Sequence, residues 1–209
     1  MGVRRSFTAV ATSVATVAAV TVLGVVTAAQ AGAAQYQVVQ TVNVGTAAFG
    51  IAMNQSSSKA YISHYLPGTD ISVLNTATNQ EDSPITGVTD VFGIALNVDD
   101  TMYATQNWTG SAPGTRVYVV APGGTSPSGA ITVLPRPAGV AVNSNVAGDP
   151  NDDTIYAAIP DQSHISVISG ATNTEATTVN VGGAPLNVAV DSTDENDIKS
   201  NEVFWPRVR

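Results

Sequence analysis

The sequence contains no cysteine, and its charged residues amount to only 11% against 44% hydrophobic ones. Without cysteine there is no disulfide, no thiolate metal site and no cysteine nucleophile, so the chain must hold itself together by packing and hydrogen bonds. Basic residues are scarce as well, eight Lys and Arg facing 16 Asp and Glu. That balance excludes nucleic acid and anionic lipid headgroups as partners, because both require a basic surface that displaces counterions. Outside the leader no window keeps a 3.6-residue apolar period, which excludes a helical solenoid. A nucleophile elbow, a phosphate loop and a zinc signature are all missing too, and no cofactor is expected.

What is present begins with a leader. Arg4 and Arg5 precede an Ala-, Val- and Thr-rich run from Val14 to Ala29. Small-x-small cleavage patterns follow at Ala29-Gln30-Ala31 and Ala31-Gly32-Ala33, so residues 1–33 read as an export signal. Val3-Arg4-Arg5-Ser6-Phe7 resembles the twin-arginine export motif, an ordinary secretory leader being the alternative. A run so rich in Ala and Thr makes a poor spanning helix, which needs about 20 consecutive apolar residues. The expectation is a secreted or extracytoplasmic chain that spans no membrane after cleavage.

The rest is repetitive. FGIAMN (Phe49 to Asn54) returns as FGIALN (Phe92 to Asn97), then as AGVAVN (Ala138 to Asn143) and as LNVAVD from Leu186, at separations of 43, 46 and 48 residues. Periods of about 40–50 residues mark repeat architectures. Two identical TVNVG strings, at 41–45 and 178–182, lie 137 residues apart, which is the sum of those separations and fixes the register. Each unit also carries an aromatic-centred strand at Tyr61, Tyr103, Tyr156 and Phe204. A third strand follows at Ile71–Leu74, Val117–Val120 and Ile165–Ile168, then a fourth at Ser83–Val88, Ala130–Leu134 and Thr178–Gly182. Four short antiparallel strands per unit make a propeller blade, which buries its faces only against neighbouring blades.

The expected fold is therefore all-β: a β-propeller of four-stranded blades of about 45 residues, three complete blades and a partial fourth. The units span about 45–88, 89–134, 135–182 and 183–209, and residues 36–44 form an N-terminal closing strand. A β-sandwich is the structural competitor. Gly-Ile/Val-Ala, a Tyr-centred strand, Ile-Ser-Val-Ile/Leu and the Thr-Asn turns at Asn75–Asn79 and Gly170–Thr174 resemble the YVTN-type β-propeller repeat family. The resemblance covers roughly 35–197 and implies a fold rather than a chemistry. Three explanations fit the half-finished ring: a shortened version of a longer propeller, completion by self-association through open blade edges, or a strained four-bladed ring closed by 36–44.

Topology places the loop before the first strand and the loop between the second and third at one end of the blades, the default ligand face. Ligand-binding candidates there are His64, Tyr65, Trp108, Arg116, Arg136, Asp161 and His164, with Trp108 on a long loop spanning 106–115. Phe49, Phe92 and Pro185 fall on the same end. His64 and His164 are the only histidines, and no glutamate falls in a loop of that face beside either. The Asp-rich turns at 99–100, 149–153 and 191–197 lack the spacing of a calcium loop. The function expected is a noncatalytic binding or scaffold module for a protein or polysaccharide at the cell surface. An enzyme similar in fold to streptogramin lyases, using a metal with histidine and glutamate, is the alternative.

Overall fold

The computed structural model describes Val38 and residues 40–54, 56–65, 70–144 and 153–190. The chain forms two compact units, Met1–Thr41 and Val42–Arg209, and the sheets lie in the second. The expected export signal, the turn at 191–200 and the strand around Phe204 lie outside the described residues.

Among the described residues twelve strands run in chain order. Blade 1 holds β1 (Ala48–Asn54), β2 (Lys59–His64), β3 (Ile71–Asn75) and β4 (Gln80–Ile85). Blade 2 holds β5 (Val91–Leu96), β6 (Met102–Trp108), β7 (Pro113–Val120) and β8 (Gly129–Thr132). Blade 3 holds β9 (Val140–Asn143), β10 (Thr154–Ile159), β11 (His164–Ser169) and β12 (Thr174–Asn180). Each blade is one antiparallel sheet whose strands pair in sequence order. The β-branched and aromatic residues of the second and third strands suit a surface buried on both faces. The architecture is a partial propeller of three blades.

The outer strands of blades 1 and 3 start earlier than the spacing predicts, at Gln80 and Thr174 rather than Ser83 and Thr178. The reason is the tightness of the preceding turn. Asn75 Oδ1 accepts the amides of Ala77 (3.0 Å) and Thr78 (3.1 Å). Asn79 then takes a left-handed φ of 56°, and Asn173 does so at 51° in blade 3. Short polar side chains tolerate that conformation, so pairing resumes at once. Of the expected closing strand at 36–44 the described part, Val38 and residues 40–44, carries no strand within the single chain. A strand exists only by pairing, and among the described residues no ladder forms with this segment.

Apolar side chains of the inner strands β5 and β9 reach back onto the blade before. Ile94 and Leu96 of β5 pack against Tyr61, Ile71 and Val73. Val140 and Val142 of β9 pack against Tyr103, Val117 and Val119. In the fourth unit Val188 and Val190 join Tyr156, Ala158 and Ile165, although no strand forms there. The quoted phrase recurs because every unit must fill the same seam.

Its glycine is fixed by the same seam. A Cβ on Gly50 would lie 2.8 Å from the carbonyl oxygen of Phe92, and one on Gly93 would lie 2.7 Å from that of Ala138. On Gly139 it would meet Asn187 Cα at 2.7 Å. Hydroxyls stitch the first two seams. The Gly50 amide donates to Ser63 Oγ (2.8 Å), and that hydroxyl donates to the Phe92 carbonyl (2.8 Å). Thr105 repeats the relay between the Gly93 amide (2.8 Å) and the Ala138 carbonyl. In blade 3 the corresponding residue is Ala158, and the Gly139 amide reaches the Leu186 carbonyl directly at 2.9 Å.

Candidate functional site

The strand pairings bring the start of the inner strand, the end of the second and the start of the third to one end of each blade. Ala48 pairs with His64, Val91 with Gln106, and Ile159 with His164. The residue two places before each of the first three phrases is left-handed there: Ala47 (φ 52°), Asp90 (φ 50°) and Arg136 (φ 62°). None is glycine, so each carries backbone strain of the kind that collects near functional surfaces.

Two clusters occupy this end. The first is aromatic. The Phe49 and Phe92 rings lie 3.9 Å apart between centroids, and Tyr65 stands 6.1 Å from the first and 5.6 Å from the second, edge-on to Phe92. Phe49 is 58% exposed and Tyr65 38%. Beside them runs a groove of about 390 Å³ between the inner strands, lined by Phe49, Phe92, Ile94, Val140, Leu186 and Asn187. The glycines leave its floor as bare backbone.

The second cluster joins blades 2 and 3 and gathers three of the expected residues. The Arg136 guanidinium sits over the Trp108 ring, 5.6 Å from its centroid, in cation–π geometry. Its Nη1 also donates to both carboxylate oxygens of Asp161, at 3.3 and 3.2 Å. The backbone fixes the arginine, whose amide donates to the Gly114 carbonyl (2.8 Å). Asn107, buried and missed by sequence reasoning, donates from Nδ2 to the carbonyls of Pro137 (3.2 Å) and Arg136 (3.5 Å). The sequence offered as signal only a run of polar residues, Thr105 to Asn107, after Tyr103 in the second strand.

Trp108 itself is corrected from a long loop to a strand end. β6 runs through it and pairs Trp108 with Pro113, leaving a tight turn closed by the Thr109 amide on the Ala112 carbonyl (2.8 Å). Gly114 makes the hairpin possible, since a Cβ there would stand 2.1 Å from the Gln106 carbonyl oxygen. Arg116 lies on β7, opposite Gln106 and Thr132, outside both clusters. Burial raises the Tyr118 hydroxyl's pKa, and the Arg116 charge partly offsets the rise.

The two histidines occupy separate surroundings. His64 is buried, and its Nδ1 faces the Thr46 carbonyl (2.7 Å), which only accepts. Nδ1 therefore carries hydrogen, and in the neutral ring Nε2 accepts from Ser72 Oγ (2.9 Å). The single Ser72 hydrogen serves either that nitrogen or the Val44 carbonyl at 3.1 Å. His64 thus braces residues 44–46 against β3. It also lines a cavity of about 490 Å³ with Asp70, Ser72, Glu81 and Pro84. Glu81 comes there from a strand, a proximity that a search of loops alone misses. His164 follows a 3-10 turn, Pro160–Gln162, and its Nδ1 meets the Gln162 carbonyl.

A metal of the lyase kind does not fit these residues. Both His64 nitrogens are engaged by the protein, and among the described residues no three His, Asp or Glu side chains gather closely enough to hold an ion. The described Asp-rich turns hold the chain together instead. Asp100 Oδ2 accepts from Ser56 of blade 1 (3.3 Å), and Asp153 Oδ2 accepts from Asn97 Nδ2 of blade 2 (2.7 Å).

No family model and no curated protein matches this sequence. Solved structures do match its fold. Kuenenia stuttgartiensis hydrazine synthase is similar over 75% of this chain and 42% of its own, with 18% identity and a TM-score of 0.58. A chain of a nidogen/laminin complex is similar over 63% of this chain and 46% of its own, with 12% identity and a TM-score of 0.50. The chain thus spans less than half the length of either neighbour. At such identities the likeness concerns the fold alone, and it agrees with propeller-like sheets.

Proposed function

We propose that this chain is a noncatalytic binding propeller of the YVTN-repeat type, acting outside the cytoplasm at the cell surface or in the secreted fraction. Its ligand, a protein or a polysaccharide, meets the blade end that carries Phe49, Tyr65, Trp108, Arg136 and Asp161. One observation carries this reading: aromatic rings, partly open to solvent, stand at the same end as an arginine and a carboxylate held in fixed geometry. Such rings offer apolar area with little entropy to lose, and a guanidinium beside a carboxylate supplies donors and acceptors for hydroxyls or peptide groups. The acidic balance of the chain directs it to neutral or basic ligands.

The test is retention of the exported protein on isolated cell-wall and surface material. Trp108→Ala and Phe49→Ala should each weaken retention about tenfold, which corresponds to about 1.4 kcal/mol. Retention unchanged by both substitutions would refute the site.

A further inference from the structure

We propose that the leading face of blade 1 is an interface for a second copy of this chain, two copies closing one ring. The argument starts from the seam residues. Ile94 and Leu96, Val140 and Val142, and Val188 and Val190 hold the same two positions in successive units, and each pair packs onto the blade before it. The corresponding pair of blade 1 is Ile51 and Met53. These stand 64% and 53% exposed.

The occupant is specified by what the seam repeats. Three times the chain builds a contact in which one unit's inner strand lies beside the next unit's inner segment, glycine against backbone. The face of Ile51 and Met53 requires a unit of the same kind in front of it. Among the described residues, the unit with no following blade is the fourth. Its segment 186–190 packs back onto blade 3, and Leu186 remains 63% exposed. Asn187 replaces the seam glycine there, yet its carboxamide folds back. Its Oδ1 accepts from the Val188 amide (2.9 Å) and lies beside Gly139, away from the open side.

The repeated TVNVG string supplies the second half of the argument. At 178–182 it ends the outer strand of blade 3 and leads into the fourth unit, with the Val181 amide donating to the Ser163 carbonyl (2.9 Å). At 41–45 the same string leads into blade 1, where the Val44 carbonyl lies 3.1 Å from Ser72 Oγ. By that equivalence it is the outer-strand end of a blade standing before blade 1. The fourth unit of a second copy offers an inner segment, and this copy's lead-in offers the outer strand, so one blade is shared at each of two identical seams. Contacts that run from the tail of one copy to the head of the other close after two when the rotation is half a turn.

The experiment is native mass spectrometry of the full chain as exported, with sedimentation at several concentrations. The expected particle has twice the chain mass and strengthens with salt, because both copies are acidic and salt screens their repulsion. Ile51→Asp with Met53→Asp should return it to the single-chain mass with an unchanged sheet signal, since both side chains already face solvent in one chain. Val98→Asp, at a residue 54% exposed in the turn after β5, should leave the doubled mass intact. A single-chain mass for the unaltered protein, or a doubled mass that survives Ile51→Asp with Met53→Asp, overturns the proposal. A four-bladed ring closed within one chain would give the first of these results.

Discussion

Asn97 and Asp153 face each other across the seam between blades 2 and 3, the Asn97 Nδ2 donating to Asp153 Oδ2 over 2.7 Å while both residues are almost wholly buried. Asn97 also accepts the amides of Asp99 (3.0 Å) and Thr101 (2.8 Å), so one side chain shapes the turn after β5 and ties it to the next blade. A buried hydrogen bond to a charged group contributes about 1.5–3 kcal/mol. Asp153→Ala should therefore cost about 2 kcal/mol, and Asn97→Ala at least as much. The double variant should cost less than the two single losses combined, because the shared bond is lost only once. Urea unfolding of the four proteins measures this; strict additivity would mean that the pair is not coupled.

Two hydroxyls at comparable depth should respond in opposite ways. Thr105 relays between the Gly93 amide and the Ala138 carbonyl, so Thr105→Val orphans both and should cost about 2 kcal/mol. Ser166 is fully buried, and among the described residues its Oγ has no hydrogen-bond partner. Ser166→Ala should thus be neutral or stabilise by about 1 kcal/mol, because the hydroxyl's desolvation is no longer uncompensated. A loss of stability at Ser166→Ala larger than about 1 kcal/mol would show that the hydroxyl has a partner after all.

Alkaline pH should loosen the blades through their central tyrosines. Burial, with a smaller contribution from the Asp153 charge, pushes the Tyr103 hydroxyl up to about 12, and burial followed by Asp100 raises Tyr61. An unfolded tyrosine loses its proton near pH 10. Between that pH and 12 the folded chain binds more protons than the unfolded one, so stability falls as pH rises. Below pH 10 the contribution is fully present. Tyrosinate absorbance and the far-UV sheet signal should change together in that window for the wild type. Asp153→Asn should lower the Tyr103 midpoint. Ionisation of Tyr103 near pH 10 with the sheets intact would contradict this.

The repeat was legible because its cause is steric and local. Phe-Gly-Ile-Ala recurs wherever an inner strand must lie against bare backbone and reach back onto the preceding blade, and both requirements act on consecutive residues. The outer strands were misplaced by about four residues because an asparagine turn, not hydrophobic pattern, decides where β4 and β12 begin. The site was legible only in part. Topology put Trp108, Arg136 and Asp161 at one end, but their meeting depends on Asn107 holding two carbonyls some thirty residues away, which no local pattern encodes. The Asn97–Asp153 bond was hidden for the same reason: in sequence each residue belongs to an ordinary polar turn.

Ala47, Asp90 and Arg136 hold one backbone posture while bearing a methyl, a carboxylate and a guanidinium. The lead-in to each inner strand thus separates conformation from chemistry, because the main chain sets the angle and leaves the side chain unspecified. A ring made of such units can change what it presents to a ligand one blade at a time, without rebuilding the seam beneath, and so can acquire new partners by single substitutions.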